Sequence, residues 1–227
     1  MIQLENVSKM FGSGAYGLTE INLSIEKGEF VFIVGPTGSG KTTLFRLLIR
    51  EMLPSQGSIV VGDFDLIKLP HSRVSHLRKK IGVIFQDLKL IIDRTVFENV
   101  LLPLEVVGVP VSEAIKRAEE LLGQVELTAH RDKFPLQLSG GELQRTAIAR
   151  SLALSPEVLL ADEPTGNLDP TTSREIVNLL GDINKKGTTV LMATHNADIV
   201  NEFKKRVVAL QKGRIIKDEK KGKYELD

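Results

Sequence analysis

The sequence predicts an α/β fold built around a phosphate-binding loop, with an antiparallel β patch near the N-terminus and an inserted helical block. Three observations carry this reading. Phe30-Val31-Phe32-Ile33-Val34 is an unbroken apolar run, the pattern of a parallel strand buried on both faces. It leads into Gly35-Pro36-Thr37-Gly38-Ser39-Gly40-Lys41-Thr42, which fits G-x-x-x-x-G-K-[ST] at every fixed position. Thr43-Leu44-Phe45-Arg46-Leu47-Leu48-Ile49 then supplies helix formers, so strand, glycine-rich loop and helix stand in the required order.

The other elements follow along the chain. Ile2-Gln3-Leu4-Glu5-Asn6-Val7 and Ile21-Asn22-Leu23-Ser24-Ile25 alternate apolar and polar residues, as half-buried strands do, and should form the antiparallel patch. Ile59-Val60-Val61 and Ile81-Gly82-Val83-Ile84-Phe85 are further strands, the second ending at Gln86. From Leu90 to about Leu154 the pattern turns helical. Val96, Val100, Leu101 and Leu104 mark one helix, ended near Gly108-Val109-Pro110. Ser112 is expected to cap the next, with Ile115, Ala118, Leu121, Leu122 and Val125 on one face. Strand–helix alternation resumes with Val158-Leu159-Leu160-Ala161. Asp169 should cap a helix with Pro170 at its first position and Ile176, Val177, Leu180 and Ile183 inward. Thr189-Val190-Leu191-Met192-Ala193 is another buried strand. Arg206 to Leu210 and Arg214-Ile215-Ile216 flank Gln211-Lys212-Gly213 as a hairpin, and the charged end from Lys217 to Asp227 is expected to fray.

Composition narrows the function. The 227 residues suffice for one large core. A net charge of +1 gives no bulk attraction for nucleic acid, and none is expected as a partner. The absence of cysteine excludes disulfides, thiolate metal sites and cysteine nucleophiles. Met1-Ile2-Gln3-Leu4-Glu5 does not read as a secretory leader. The longest apolar candidate, Val96 to Val109, is interrupted by Glu98, Asn99, Pro103 and Glu105, so membrane contact is expected only through a partner.

The chemistry should gather at strand ends. Glycines let the loop turn its N–H groups toward an anion, and the helix start behind it favours negative charge. Lys41 adds a point charge for the β- and γ-phosphates, and the Thr42 hydroxyl can ligate Mg²⁺. Asp162, after the strand Val158–Ala161, is placed to hold Mg²⁺ directly or through water. Glu163 beside it can orient and deprotonate a water. His195 follows the strand Thr189–Ala193 and can donate to a γ-phosphate or to that water; read alone it also suits a helix cap. Gln86 ends its strand with an uncharged amide that can reach Mg²⁺, or simply faces solvent. Ser139-Gly140-Gly141-Glu142 is a capping box, S-x-x-E, and that role is sufficient by itself. Its two glycines also leave amides unshielded, which makes a second anion site.

Together these motifs resemble the ATP-binding cassette (ABC) ATPases. Leu138-Ser139-Gly140-Gly141-Glu142 resembles the family signature, Ala161-Asp162-Glu163-Pro164-Thr165 its Walker B strand end, and Asn167-Leu168-Asp169 its D-loop. Gln86 and His195 match the Q-loop and the switch histidine in order and approximate spacing. The resemblance spans Ile2 to about Ile216. It implies a single nucleotide-binding domain over 1–227: a RecA-like core of P-loop NTPase type with its β subdomain at 1–89 and 156–227, and a helical signature subdomain at 90–155. It implies ATP and Mg²⁺ as cofactors and a head-to-tail homodimer with two ATP molecules between the copies. Nucleotide contacts would come from Gly35, Pro36, Thr37, Gly38, Ser39, Gly40, Lys41, Thr42 and Thr43, from Ser139, Gly140, Gly141 and Glu142 toward the other copy, and from Asp169. Thr42, Gln86 and Asp162 would hold the metal. Glu163, His195, Gln86 and Lys41 would carry catalysis. Phe11 stands where the family stacks an aromatic ring on adenine, with Tyr16 as the alternative and core packing as a competing role for Phe11.

Within the family, Ile81-Gly82-Val83-Ile84-Phe85-Gln86-Asp87 and Asp93-Arg94-Thr95-Val96-Phe97-Glu98-Asn99-Val100 resemble the FtsE-like cell-division subfamily. That likeness implies an FtsX-like integral membrane partner, a place on the cytoplasmic face of the membrane, and transmembrane activation of cell-wall hydrolysis. Lipoprotein-releasing and macrolide-export cassettes share most of these motifs and are the alternative. Leu143 stands where the division subfamily usually has glutamine. Leu88, Leu90, Ile91 and Ile92 are read either as a docking surface or as packing under the helical block. A guanine-binding N-K-x-D motif is excluded, because Asn184-Lys185-Lys186-Gly187 lacks the aspartate.

Overall fold

A computed structural model describes residues 1–12, 14–220, 222 and 224. The apolar run becomes β3 (Phe30–Val34), and all five of its residues are buried. It lies inside a six-stranded sheet ordered β10-β9-β3-β8-β7-β6. Here β6 is Ile81–Ile84, β7 Val158–Asp162, β8 Thr189–Thr194, β9 Arg206–Gln211 and β10 Arg214–Glu219. Strands β3 and β6 to β9 run parallel, and β10 closes the edge antiparallel to β9. A second sheet of order β2-β1-β4-β5 is antiparallel throughout: β1 (Ile2–Met10), β2 (Tyr16–Ile25), β4 (Gln56–Val61) and β5 (Phe64–Asp65). Ile59-Val60-Val61 therefore joins the N-terminal sheet and not the parallel one.

The two-residue period of β3 divides the core. Phe30, Phe32 and Val34 face an apolar cluster shared with α3 (Val96–Val106), α4 (Val111–Gln124), α5 (Gly140–Ser151), α6 (Pro170–Lys185) and α7 (Ala197–Phe203). Val31 and Ile33 face the other cluster, filled by α1 (Lys41–Leu48), α2 (Val74–Lys79) and the antiparallel sheet. Ile176, Val177, Leu180 and Ile183 are buried from α6, whose cap is Asp169 with Pro170 at the first position.

Some expectations are corrected. Ser112 does not cap α4: the helix starts at Val111 behind Pro110, too soon for a cap at 112. Ile115 is exposed, because small Ala114 turns the buried face one position back; Ala118, Leu121, Leu122 and Val125 are buried as expected. Lys217–Glu219 are not frayed but complete β10. Their charges suit an edge strand, where charge discourages pairing with another chain. Residues 221, 223 and 225–227 of that expectation lie outside the described residues. Leu88 and Leu90 pack against the apolar cluster, whereas Ile92 is exposed.

Candidate functional site

The parallel strands deliver their carboxyl ends to one edge, and a cleft of about 500 Å³ opens there. Residues 37–43, Gln86, Asp162, Glu163 and His195 line it, together with Phe11 and Tyr16 at one side. Four separate strand ends thus meet in one place: β3 before the loop, β6 before Gln86, β7 at Asp162 and β8 before His195.

The loop's shape comes from its glycines. Gly40 has φ of 112°, and a Cβ there would stand 2.6 Å from the Gly17 carbonyl oxygen. The loop is thereby pressed against β2. Gly40 is also the N-cap of α1 and provides no side-chain cap. The first amides of α1 stay free to face an anion, with the helix dipole behind them. The Ser39 hydroxyl oxygen is buried without a hydrogen-bond partner among the described residues, which fits a polar ligand in this loop.

The charged groups are tightly arranged. Lys41 is buried, and its Nζ donates to the Gly35 carbonyl at 2.7 Å and lies 3.6 Å from Glu163 Oε1. The Thr42 hydroxyl donates to Asp162 Oδ2 at 3.0 Å, so two hard oxygen donors already face each other. Burial pushes the Asp162 carboxyl above its ordinary value, and the Thr42 hydrogen bond opposes that shift. Glu163 has φ of 49°, a left-handed backbone that turns its side chain back over the cleft. Its Oε1 lies 3.0 Å from His195 Nδ1, and its buried Oε2 has no partner among the described residues. A carboxylate held at the cleft by a lysine and a histidine has the chemistry of a general base. Gln86 is exposed at the mouth of the cleft.

At the Phe11 end of the cleft, Phe11 covers Gly17: a Cβ on Gly17 would stand 2.6 Å from Phe11 Cε2. Lys9 Nζ lies 5.9 Å from the centre of the Phe11 ring. Phe11 is 38% exposed and Tyr16 60%, so Phe11 is not simple core packing, and both rings are open to a ligand.

Of the expected nucleotide contacts, Gly35, Pro36, Ser139, Gly140, Gly141, Glu142 and Asp169 do not line this cleft. Ser139 caps α5 in a full capping box: its N–H donates to Glu142 Oε2 at 2.7 Å, and its hydroxyl accepts from the Glu142 N–H at 3.4 Å. Both glycines pack closely: a Cβ on Gly141 would stand 2.7 Å from Thr172 Cγ2 at the start of α6, and one on Gly140 3.1 Å from Leu168 Cδ2. Asp169 accepts from the Thr171 and Thr172 amides at 3.0 Å each. Gly166 and Asn167 also line the cleft. Asn167 was legible in the sequence only as part of the D-loop, and Gly166 carried no signal.

A second groove is lined by Val83, Phe85, Leu102, Pro103 and Leu154 together with Arg78, Lys79 and Arg150.

Residues 18–166 match the profile of a family described as ABC transporter. The chain is 48% identical to the cell division ATP-binding protein FtsE of Bacillus subtilis (strain 168), over 99% of this chain and 98% of that one. It is 48% identical to the FtsE of Mycobacterium tuberculosis (strain H37Rv), over 100% and 99%. Among solved structures, the dimeric post-hydrolysis state of the cassette MJ0796 bound to ADP and Pi superposes with a TM-score of 0.88 at 37% identity, covering 99% of this chain and 100% of that one.

Proposed function

The chain belongs to the ABC transporter family and is an ATP-binding ATPase of that type; from this premise we propose that it powers an FtsEX-like membrane complex in cell division. In this reading, ATP-driven pairing of two cassettes activates cell-wall hydrolysis across the membrane. The observation that carries it is the extent of the likeness: relatives named for cell division match along nearly the whole of both chains at 48% identity. That supports the division reading over the lipoprotein-release or macrolide-export alternative.

The residues divide the work as follows. Residues 35–43 cradle the phosphates, and Lys41 neutralises charge on them. Thr42 and Asp162, with Gln86 at the mouth, would hold Mg²⁺. Their oxygen donors fit a hard cation, and no cluster of three or more acidic, histidine or cysteine ligands competes among the described residues. Bound there, the metal would offset charge on the β- and γ-phosphates. Glu163 takes the proton of the attacking water, and His195 orients Glu163. Phe11 stacks on adenine. Ser139, Gly140 and Gly141 meet the phosphates held by a second copy, which explains why they lie outside this chain's own cleft. The groove beside Phe85 and Leu102 receives an FtsX-like subunit, which holds the cassette on the cytoplasmic face of the membrane. No described helix is itself long and apolar enough to cross a membrane.

The test uses Glu163→Gln, which should bind ATP, turn it over about 10²–10⁴-fold more slowly and accumulate as a dimer. With ATP and Mg²⁺ it is added to solubilised membranes of the source cell and recovered. A small integral protein with one large extracytoplasmic domain supports the division reading. An efflux or lipoprotein-release permease moves it to export, and recovery of the dimer with no membrane protein overturns it.

A further inference from the structure

Arg150, near the C-terminal end of α5, has no place in the chemistry described so far. Its guanidinium reaches across to the segment after Gln86 and donates to two successive carbonyls, Leu88 at 2.5 Å and Lys89 at 2.6 Å. Those two residues are both left-handed, with φ of 56° and 51°, and neither is glycine. A consecutive pair of side-chain-bearing residues in this region is strained and persists only where its surroundings impose it. Within the loop itself, the Leu88 amide bonds Phe85 O, the Lys89 amide bonds Asp87 O, and the Lys89 and Asp87 side chains pair. These contacts are local and close the turn. The Arg150 fork comes from 62 residues away and ties the turn to a helix. Two parallel N–H donors fix direction as well as distance, which a lysine cannot do.

We propose that Arg150 is a positioning residue for the ATPase reaction: its fork imposes the left-handed Leu88–Lys89 turn and so sets where Gln86 stands at the cleft. The proposal rests on the reading of Gln86 as a residue that engages the metal or the attacking water. Arg150 touches neither, so its loss should act on turnover and leave nucleotide affinity alone.

The experiment compares full-length wild type, Arg150→Met, Arg150→Lys and Gln86→Ala. Arg150→Met keeps the apolar stem and removes the fork. Steady-state ATPase should show kcat down about tenfold in Arg150→Met with KM for ATP within about twofold, and an intermediate kcat in Arg150→Lys. Adding Lys89→Gly to Arg150→Met should recover part of the lost kcat, because glycine adopts the left-handed turn without strain. A folding defect would not be recovered this way. Hydrogen exchange read on the Leu88 and Lys89 amides should rise in Arg150→Met and not in Gln86→Ala. Wild-type kcat in Arg150→Met alongside impaired Gln86→Ala overturns the proposal. So does a fall in kcat that tracks lost thermal stability and is not restored by Lys89→Gly. If Gln86→Ala is fully active, the role of Gln86 fails, and exchange alone judges the clamp: unchanged protection in Arg150→Met overturns it too.

Discussion

Asn99 is fully buried on α3, and its removal should be one of the most damaging single changes in the helical block. Its amide contacts the stretch leading out of the Gln86 loop at four points. Oδ1 accepts from the Ile91 N–H at 2.9 Å, and the two hydrogens of Nδ2 are shared among the carbonyls of Ile91, Arg94 and Thr95, at 3.0, 3.1 and 2.9 Å. The cost of Asn99→Ala is smaller than four bonds. The Ile91 carbonyl also accepts from the Arg94 amide, and the Thr95 carbonyl from the Asn99 amide, so both stay paired. The part-buried Ile91 N–H and Arg94 carbonyl lose the bonds that matter, at up to about 1–3 kcal/mol for each group left without a partner. A total near 3 kcal/mol lowers Tm by about 6–12 °C in a domain of this size. Thermal unfolding followed by circular dichroism measures it. Asn99→Asp sharpens the test. It keeps an acceptor for Ile91 but turns a carboxylate toward three carbonyls, so at neutral pH it should be worse than alanine. A carboxyl raised by burial carries no penalty below its unfolded value near pH 4, and the penalty grows as pH rises above that. The gap between the two variants should therefore close on acidification. A Tm loss under about 2 °C for Asn99→Ala, or an Asp variant no worse than the Ala variant at pH 7, refutes the reasoning.

Lys41→Ala removes the charge beside Glu163 and the donor to the Gly35 carbonyl, and should weaken ATP binding at least tenfold in a fluorescent-nucleotide titration. Phe11→Ala should raise the Kd for ATP about 5- to 100-fold, the loss of one stacked base, while Tyr16→Ala changes it less than about twofold; the reverse order would assign the stacking ring to Tyr16. The Ser139 N–H and hydroxyl hold the Glu142 carboxyl below its ordinary value. A depressed carboxylate contributes stability that is full above its unfolded pKa and is lost as pH falls through its folded one. Urea unfolding of Glu142→Gln should therefore show a shallower loss between about pH 5 and pH 3 than wild type. His130, whose Nε2 lies 3.1 Å from Glu142 Oε1, faces the same carboxylate and stays in place in that comparison.

What the sequence made legible is what short segments decide. The loop at 35–42, the capped starts at Ser139 and Asp169 and the apolar strands each depend on residues within a few positions of one another, and each appears in the structure where the pattern put it. Ser112 and Ile115 show the limit of such patterns. A serine before an apolar period suits a cap, and Ile115 has helical spacing with Ala118 and Leu122, but Pro110 starts the helix early and Ala114 carries the packed face. The clamps were not legible at all. Asn99 reads as a polar interruption in an apolar run, and Arg150 as a basic residue at the end of a helix. Only the fold sets their amide and guanidinium groups against the segment that follows Gln86.

Ser139 is the sharper case, because both of its expected roles draw on one hydroxyl. In this structure that hydroxyl donates to Glu142 Oε2 at 2.8 Å, inside its own helix start. For the proposed contact with a phosphate held by a second copy, it must turn away. The geometry keeps that exchange inexpensive, since the Ser139 N–H already holds the same carboxylate oxygen at 2.7 Å and His130 holds the other. A capping box that keeps its carboxylate after releasing its hydroxyl can serve the helix and the ligand in turn. Glutamate at position 142 is therefore as much a part of the proposed anion site as the serine and glycines before it.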